Sequence, residues 1–136
     1  MRCLFSLILG LTIIAADAMD LQFMHLTTDD GLAHNHVNCI LADRNGLMWF
    51  GTRNGVCRYD GYSMNVYTQS KGDTEGLPNN FISSVFQDSE GRIWVGSDKG
   101  AARYTPITDS FSLCEGIEGM VVTSFAENSA GTVFCA

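Results

Sequence analysis

The sequence predicts an all-β chain, a partial β-propeller of about two and a half four-stranded antiparallel blades that is not closed. Two observations predict it. The stretch from Ala42 to Gly61, ADRNGLMWFGTRNGVCRYDG, recurs from Gln87 to Thr105 as QDSEGRIWVGSDKGAARYT, and a shorter copy, NSAGTVFCA, runs from Asn128 to Ala136. Asp43 and Asp88, Gly46 and Gly91, Trp49 and Trp94, Gly51 and Gly96, Gly55 and Gly100, and Tyr59 and Tyr104 all stand 45 residues apart. In the third copy Asn128, Gly131 and Phe134 follow 40 residues behind Asp88, Gly91 and Trp94. The second observation is the content of each copy: short runs of strand formers separated by Asx-Gly turns. Four such strands in a repeat of about 40–50 residues describe a propeller blade. A β-sandwich also has short strands and frequent turns, but it does not repeat one Gly and Trp pattern in one register.

The strands follow in order. Val37 to Ala42, Ile82 to Phe86 and Val121 to Phe125 are apolar on both faces, which fits a first strand covered on both sides. Asp43 to Gly46 and Asp88 to Gly91 form tight turns; the Asp side chain accepts a backbone N–H two residues on, and Gly supplies a positive φ. The second strands, Leu47 to Gly51 and Arg92 to Gly96, carry the Trp. Turns at Arg53-Asn54-Gly55 and Asp98-Lys99-Gly100 lead to third strands ending at Tyr59 and Tyr104. Asp60-Gly61 and Pro106 to Asp109 then turn into fourth strands near Met64 to Tyr67 and Ser110 to Leu113. Trp49, Trp94 and Phe134 are expected to pack between blades, and the repeated glycines to serve backbone geometry.

The blades are expected at about 28–68, 69–113 and, incomplete, 114–136, with Thr68 to Gly76 as a polar loop between the first two. Ahead of them Asp20 to Thr27 reads as a lone strand, with Phe23 in a place like those of Tyr67 and Phe111 on the fourth strands. Residues 1–18, MRCLFSLILGLTIIAADA, combine an Arg, a short apolar run and an Ala-Asp-Ala site, the pattern of a secretory signal peptide, which leaves 19–136 as the mature domain. An uncleaved anchor is the second reading. Propellers close with about 4–8 blades, so this chain reads as a fragment of a longer protein, with bare strand edges.

The formal net charge of −7 argues against nucleic acid or an anionic membrane as partner of this segment. Cys39 and Cys57 fall two strands apart, about 9–10 Å, too far for a disulfide. Cys114 and Cys135 are a pair that could approach. No zinc spacing is present, and no cofactor or metal is expected; His34-Asn35-His36 is the nearest thing to a ligand set and lacks a third member. No nucleophile elbow, phosphate loop or zinc-protease motif appears, so the segment reads as non-enzymatic.

Topology places a site. In an up-and-down blade the loop into the first strand and the turn between strands two and three share one end. That gathers His34, Asn35, His36, Asn79 and Asn80 with Arg53, Asn54, Asp98 and Lys99 at one rim, the candidate ligand-binding residues. Polar loops on a rigid scaffold are where recognition concentrates. Solvated loops with no ligand are the plain alternative for each residue.

The segments GLAHNHVNCILADRNGLMWFGTRNGVCRYDGYSMNVY and GLPNNFISSVFQDSEGRIWVGSDKGAARYTPITDSF closely resemble the two-component regulator propeller repeat, with its D-x-x-G-x-x-W-x-G-[TS]-x-x-G core and G-L-x-x-N lead-in. The chain is similar to the N-terminal sensor region of Bacteroides-type hybrid two-component systems. That resemblance implies a periplasmic propeller sensing glycan-derived oligosaccharides, in a membrane-anchored, dimeric parent. The parent's histidine kinase, receiver and DNA-binding domains, absent here, would control transcription. The alternatives are a fragment of a secreted propeller enzyme of the streptogramin-lyase kind, or a binding scaffold without signalling.

Overall fold

Tight turns, most of them carrying a glycine at positive φ, help to cut the described part of the chain into ten short strands. The computed structural model describes residues 22–70 and 76–136. The expected signal peptide therefore lies outside the described residues. In the first blade β1 (Val37–Ala42), β2 (Met48–Thr52), β3 (Gly55–Tyr59) and β4 (Met64–Tyr67) pair in that order, each antiparallel to the next. In the second, β5 (Ile82–Gln87), β6 (Ile93–Ser97), β7 (Gly100–Thr105) and β8 (Ser110–Leu113) do the same. A two-stranded sheet, β9 (Phe125–Glu127) with β10 (Val133–Cys135), begins a third. The three sheets stay separate, so this is an open, partial propeller.

The repeated Asp builds the turn it opens. Asp43 Oδ1 accepts the Asn45 and Leu47 backbone N–H groups at 2.8 and 3.0 Å, and Gly46 follows at φ 81°. Asp88 repeats this with Glu90 and Arg92 at 3.0 and 2.8 Å, and Asn128 with Ala130 and Thr132 at 3.0 and 2.9 Å. The other carboxylate oxygen does something the spacing alone left unread. Trp49 Nε1–H donates to Asp43 Oδ2 at 2.9 Å, and Trp94 Nε1–H to Asp88 Oδ2 at 2.8 Å. One side chain thus closes the turn and orients the Trp six residues on.

Trp49 enters the space between blades as expected. It is 1% exposed and lies in the main core with Val56, Ile82, Val95, Tyr104 and Phe111. Its ring meets Tyr104 edge-on at 4.9 Å and Phe111 at 6.2 Å, and stacks beside Tyr67 at 6.2 Å. Trp94 is half-buried and lines a cavity of about 220 Å³ toward the third sheet with Phe125, Val133 and Cys135. Phe134, expected between blades, is 55% exposed, because among the described residues nothing lies beyond β10 to cover it.

Neighbouring blades are also joined through their first strands. Asn38 Nδ2 donates to the Ile82 carbonyl at 2.7 Å, and the equivalent Ser83 hydroxyl donates to the Val122 carbonyl. The turn of each blade reaches the end of the next first strand: Arg44 N–H donates to Gln87 Oε1 at 3.0 Å, and Ser89 N–H to Glu127 Oε2 at 2.7 Å. Where the sheets come closest, only hydrogen fits. A Cβ on Gly51 would lie 2.8 Å from Ile82 Cγ2 and closer still to Cys39 Sγ; one on Gly96 would lie 2.8 Å from Val122 Cγ1. Gly51→Ala is therefore expected to destabilise the chain by about 2 kcal/mol, since overpacking a filled core forces neighbours off their rotamers. A urea melt of the variant with an unchanged midpoint would refute this close approach.

Three expectations need correction. Residues 22–27 of the proposed lone strand form none: they have no ladder partner among the described residues, and Phe23 is 92% exposed. The chain instead turns through a 3-10 helix, Thr28–Asp30, capped reciprocally by the Thr27 and Asp30 side chains. The first strand of the third sheet starts at Phe125 rather than Val121. Val122 N–H is drawn to the Ser97 carbonyl of the second blade at 2.8 Å, and Ser124 and Ala136 exchange both N–H···O bonds at 3.0 Å beside the Phe125–Cys135 pair, so only Val121 to Thr123 stand outside the pairing. Finally, Tyr67 and Phe111 are not equivalent. Phe111 faces Tyr104 as Met64 faces Tyr59, whereas Tyr67 faces Val56, and its counterpart opposite Ala101 is Cys114.

The four described cysteines are free. Cys39 and Cys57 sit on opposite faces of the first sheet, one against the inter-blade core and the other against Leu32 and Phe50. That second face is covered by Leu26, Leu32 and Ala33, while Ile40 stays 60% exposed.

Candidate ligand-binding rim

The loops into the first strands and the turns between strands two and three do meet at one end. Arg53 N–H donates to the His36 carbonyl at 3.2 Å within the first blade. Gly55 N–H donates to the Asn80 carbonyl at 2.7 Å, which joins the first blade's turn to the second blade's lead-in loop. Between the second blade and the third sheet the direction reverses: Gly119 N–H of the lead-in loop donates to the Lys99 carbonyl of the turn at 2.9 Å. His34, Asn35, His36, Arg53, Asn54, Asn79, Asn80, Asp98 and Lys99 thus lie along one rim.

Their side chains divide by use. His34 Nδ1 accepts His36 N–H at 2.8 Å, and Asn35 Oδ1 accepts Thr28 N–H at 2.8 Å. Asn79 Oδ1 accepts Phe81 N–H at 2.9 Å, and Asn80 Oδ1 accepts Gln69 N–H at 2.6 Å. These four hold the loops in shape, as Asx-type side chains do. Arg53, Asn54, Asp98 and Lys99 project from the turns as exposed residues. Thr52 and Ser97 fix those turns: each hydroxyl is buried, donates to the carbonyl of Gly55 or Gly100, and accepts the N–H of Asn54 or Lys99. Lys99 also borders a cavity of about 390 Å³ with Gln69, Pro78, Leu113 and Glu118. Among the described residues no group of three His, Cys, Asp or Glu side chains is placed to hold a metal ion.

A second cluster went unread in the sequence. Asp109, at the turn before β8, accepts on Oδ1 from the Tyr67 and Tyr104 hydroxyls, each at 2.6 Å, and from Arg58 Nη1 at 2.9 Å. Arg58 also donates to the Tyr104 hydroxyl, and its guanidinium carbon lies 5.6–5.8 Å from the ring centroids of Tyr104, Trp49 and Tyr67. The tyrosine donors hold the Asp109 carboxyl below the usual carboxylate range. Burial, and then the bond to Asp109, push the Tyr67 phenol well above its ordinary value. The cluster is an ionic and cation–π tie between the two blades. Arg58 recurs as Arg103, a repeat that could have flagged it; Asp109 has no counterpart, because the second blade's turn is two residues longer.

Blades packed face to face, with first strands adjacent and loops gathered at one end, define the propeller class. Residues 31–54 and 76–99 match the family described as two component regulator propeller, so the chain carries two such repeats. Each match runs from the lead-in loop through the first two strands to the following turn. Among curated proteins, Histidine kinase P4 of Formosa agariphila is 32% identical over 61 residues, which cover 45% of this chain and 4% of that protein. Among solved structures, the chain is similar to the extracellular domains of two hybrid two-component systems of B. thetaiotaomicron. BT3049 matches with a TM-score of 0.65 at 21% identity, BT4673 with 0.63 at 23%; each match covers 81% of this chain and 16% of the solved one. The chain therefore spans a small part of each relative, and the structural likeness is one of fold.

Proposed function

We propose that this chain is a segment of an extracellular sensor propeller belonging to a hybrid two-component histidine kinase, and that it takes part in recognising an oligosaccharide at the loop-bearing rim. The observation that supports this most is the joint presence of the regulator-propeller repeats and a rim where two successive blades present Arg53-Asn54 and Asp98-Lys99 in equivalent turns. These are exposed, mixed-charge, hydrogen-bonding side chains on turns braced by buried hydroxyls, the arrangement in which recognition costs little ordering entropy. On this reading the chain is exported to the periplasm and performs no catalysis. The rest of the parent supplies the remaining blades, the membrane anchor and the kinase. Among the described residues no helix is long and apolar enough to cross a membrane.

The test is calorimetric titration of the chain with cello-, xylo- and mannohexaose, comparing wild type with the variant Arg53→Ala, Asn54→Ala, Asp98→Ala, Lys99→Ala. Loss of hydrogen bonds to charged groups is expected to weaken binding about tenfold or more. Wild-type affinity in a folded variant would remove the rim from the recognition surface.

A further inference from the structure

The second blade and the third sheet each turn a cysteine toward the other. Cys114 lies opposite Ala101, to whose carbonyl its N–H donates at 2.9 Å, as Tyr67 lies opposite Val56 in the first blade. Cys135 follows Phe134 as Val95 follows Trp94. At the first interface Tyr67 and Val95 reach one core from facing sheets. The repeat sets Cys114 and Cys135 in those same two places at the second interface. Both line the cavity of about 220 Å³ beside Trp94, with Ala101, Ile117 and Phe125 as further walls. We propose that Cys114 and Cys135 are a disulfide-forming pair that ties the third sheet to the second blade.

Two thiols occupy far less volume than a tyrosine and a valine, and the interface is left with this void. Packed interiors keep few voids larger than a water molecule, so a wall that moves inward gains contacts. One wall belongs to a two-stranded sheet, and such a pair is marginal on its own. Its closure over the cavity supplies the short Cβ–Cβ approach that a disulfide requires. Cys39 and Cys57 have no such arrangement, since they sit on opposite faces of one sheet.

The two thiols differ in the way stepwise oxidation needs. Cys135 is exposed and Cys114 is half-buried. Burial pushes the Cys114 thiol up, the Arg103 cation opposes that, and a charge on Cys135 adds to the rise. The accessible Cys135 therefore reacts first. Its thiolate attacks a low-molecular-weight disulfide, forms a mixed disulfide and releases one thiolate. Deprotonated Cys114 then attacks Cys135 Sγ and expels the second. Two electrons pass from the protein to the oxidant, and the two protein thiol protons end on the two released thiols. Disulfides persist in oxidising compartments, so in the cell the bond rests on the exported reading above, whereas its formation in vitro does not.

The test equilibrates the full chain in reduced and oxidised glutathione, alkylates the remaining thiols and maps the peptides without reduction. The expected product is lighter by two hydrogens and links Cys114 to Cys135. The two residues stand 21 apart, and closing that loop restricts the unfolded chain. The oxidised chain should therefore unfold at a urea midpoint about 1 M above that of the chain in dithiothreitol. That rise should vanish in Cys114→Ser and in Cys135→Ser, with circular dichroism confirming that each is folded. If a variant does not fold, the wild-type map and the oxidised-against-reduced comparison decide alone. Thiols that stay open to alkylation, a link from either cysteine to another cysteine, to glutathione or to a second chain, or a Cys114–Cys135 link that leaves the midpoint unmoved would each overturn the proposal.

Discussion

Trp49→Ala is expected to cost about 3–5 kcal/mol, the usual range for emptying a buried Trp site. Typical domains have a total stability of only about 5–15 kcal/mol, so this variant should be largely unfolded or close to it. The reason lies in what the ring holds. It fills the space between blades at 1% exposure, touching Tyr67, Tyr104 and Phe111, and its removal also strands the buried Asp43 Oδ2 without its donor. Trp94→Ala is expected to cost clearly less, because Trp94 is half-buried against a cavity of about 220 Å³. If Trp49→Ala does not fold, Trp49→Phe keeps an aromatic ring and loses the indole donor, at an expected cost of about 2 kcal/mol. Urea unfolding followed by circular dichroism makes the comparison. Equal costs at Trp49 and Trp94 would contradict an interface centred on the first Trp.

Asp88→Asn should destabilise by about 3 kcal/mol, the lower part of the range for breaking a buried charged pair. Asp88 is fully buried. It accepts Glu90 N–H and Arg92 N–H on Oδ1, and Arg92 Nε–H and Trp94 Nε1–H on Oδ2. An Asn places an amide N–H₂ among these donors, so at least one bond becomes a repulsion. The pH dependence has a definite sign. Burial opposes ionisation of Asp88, but the bonds from Trp94 and Arg92 more than offset it, and the carboxyl is held below its ordinary value. A group whose folded pKa is depressed contributes stability above its unfolded pKa and loses it as pH falls through the folded value. The gap between wild type and Asp88→Asn should therefore be constant at neutral pH and narrow below about pH 4, the unfolded Asp range. A gap unchanged down to pH 2 would mean that the charge contributes nothing.

The eight strands of the two blades were legible because they rest on local chemistry repeated in register: Asp-x-x-Gly turns, apolar runs and glycines where sheets approach. The rim was legible from topology alone, since strand direction decides which loops share an end. The lone strand before the first blade failed for the opposite reason: a strand is a pairing, and residues 22–27 have apolar content without a partner. The later start of β9 has a related cause: Val122 turns its N–H to the Ser97 carbonyl of the neighbouring blade, and Val121 has no strand partner among the described residues. The Asp43–Trp49 and Asp88–Trp94 bonds were hidden in plain view. Both residues were noted as repeated, but a carboxylate's second oxygen has no sequence signature. Asp109 was invisible because it stands in a turn two residues longer than its counterpart, and the division of His34, Asn35, Asn79 and Asn80 from the projecting turn residues depends on single loop hydrogen bonds.

The most direct test of the sensing role is an amide chemical-shift map of the isotopically labelled chain titrated with the neutral hexasaccharides. The expected shifts lie at residues 34–36, 53–54, 79–80 and 98–99, with the turns at Asp43–Gly46 and Asp88–Gly91 on the opposite end unmoved. Shifts concentrated at those opposite turns, with the loop-bearing rim silent, would contradict it.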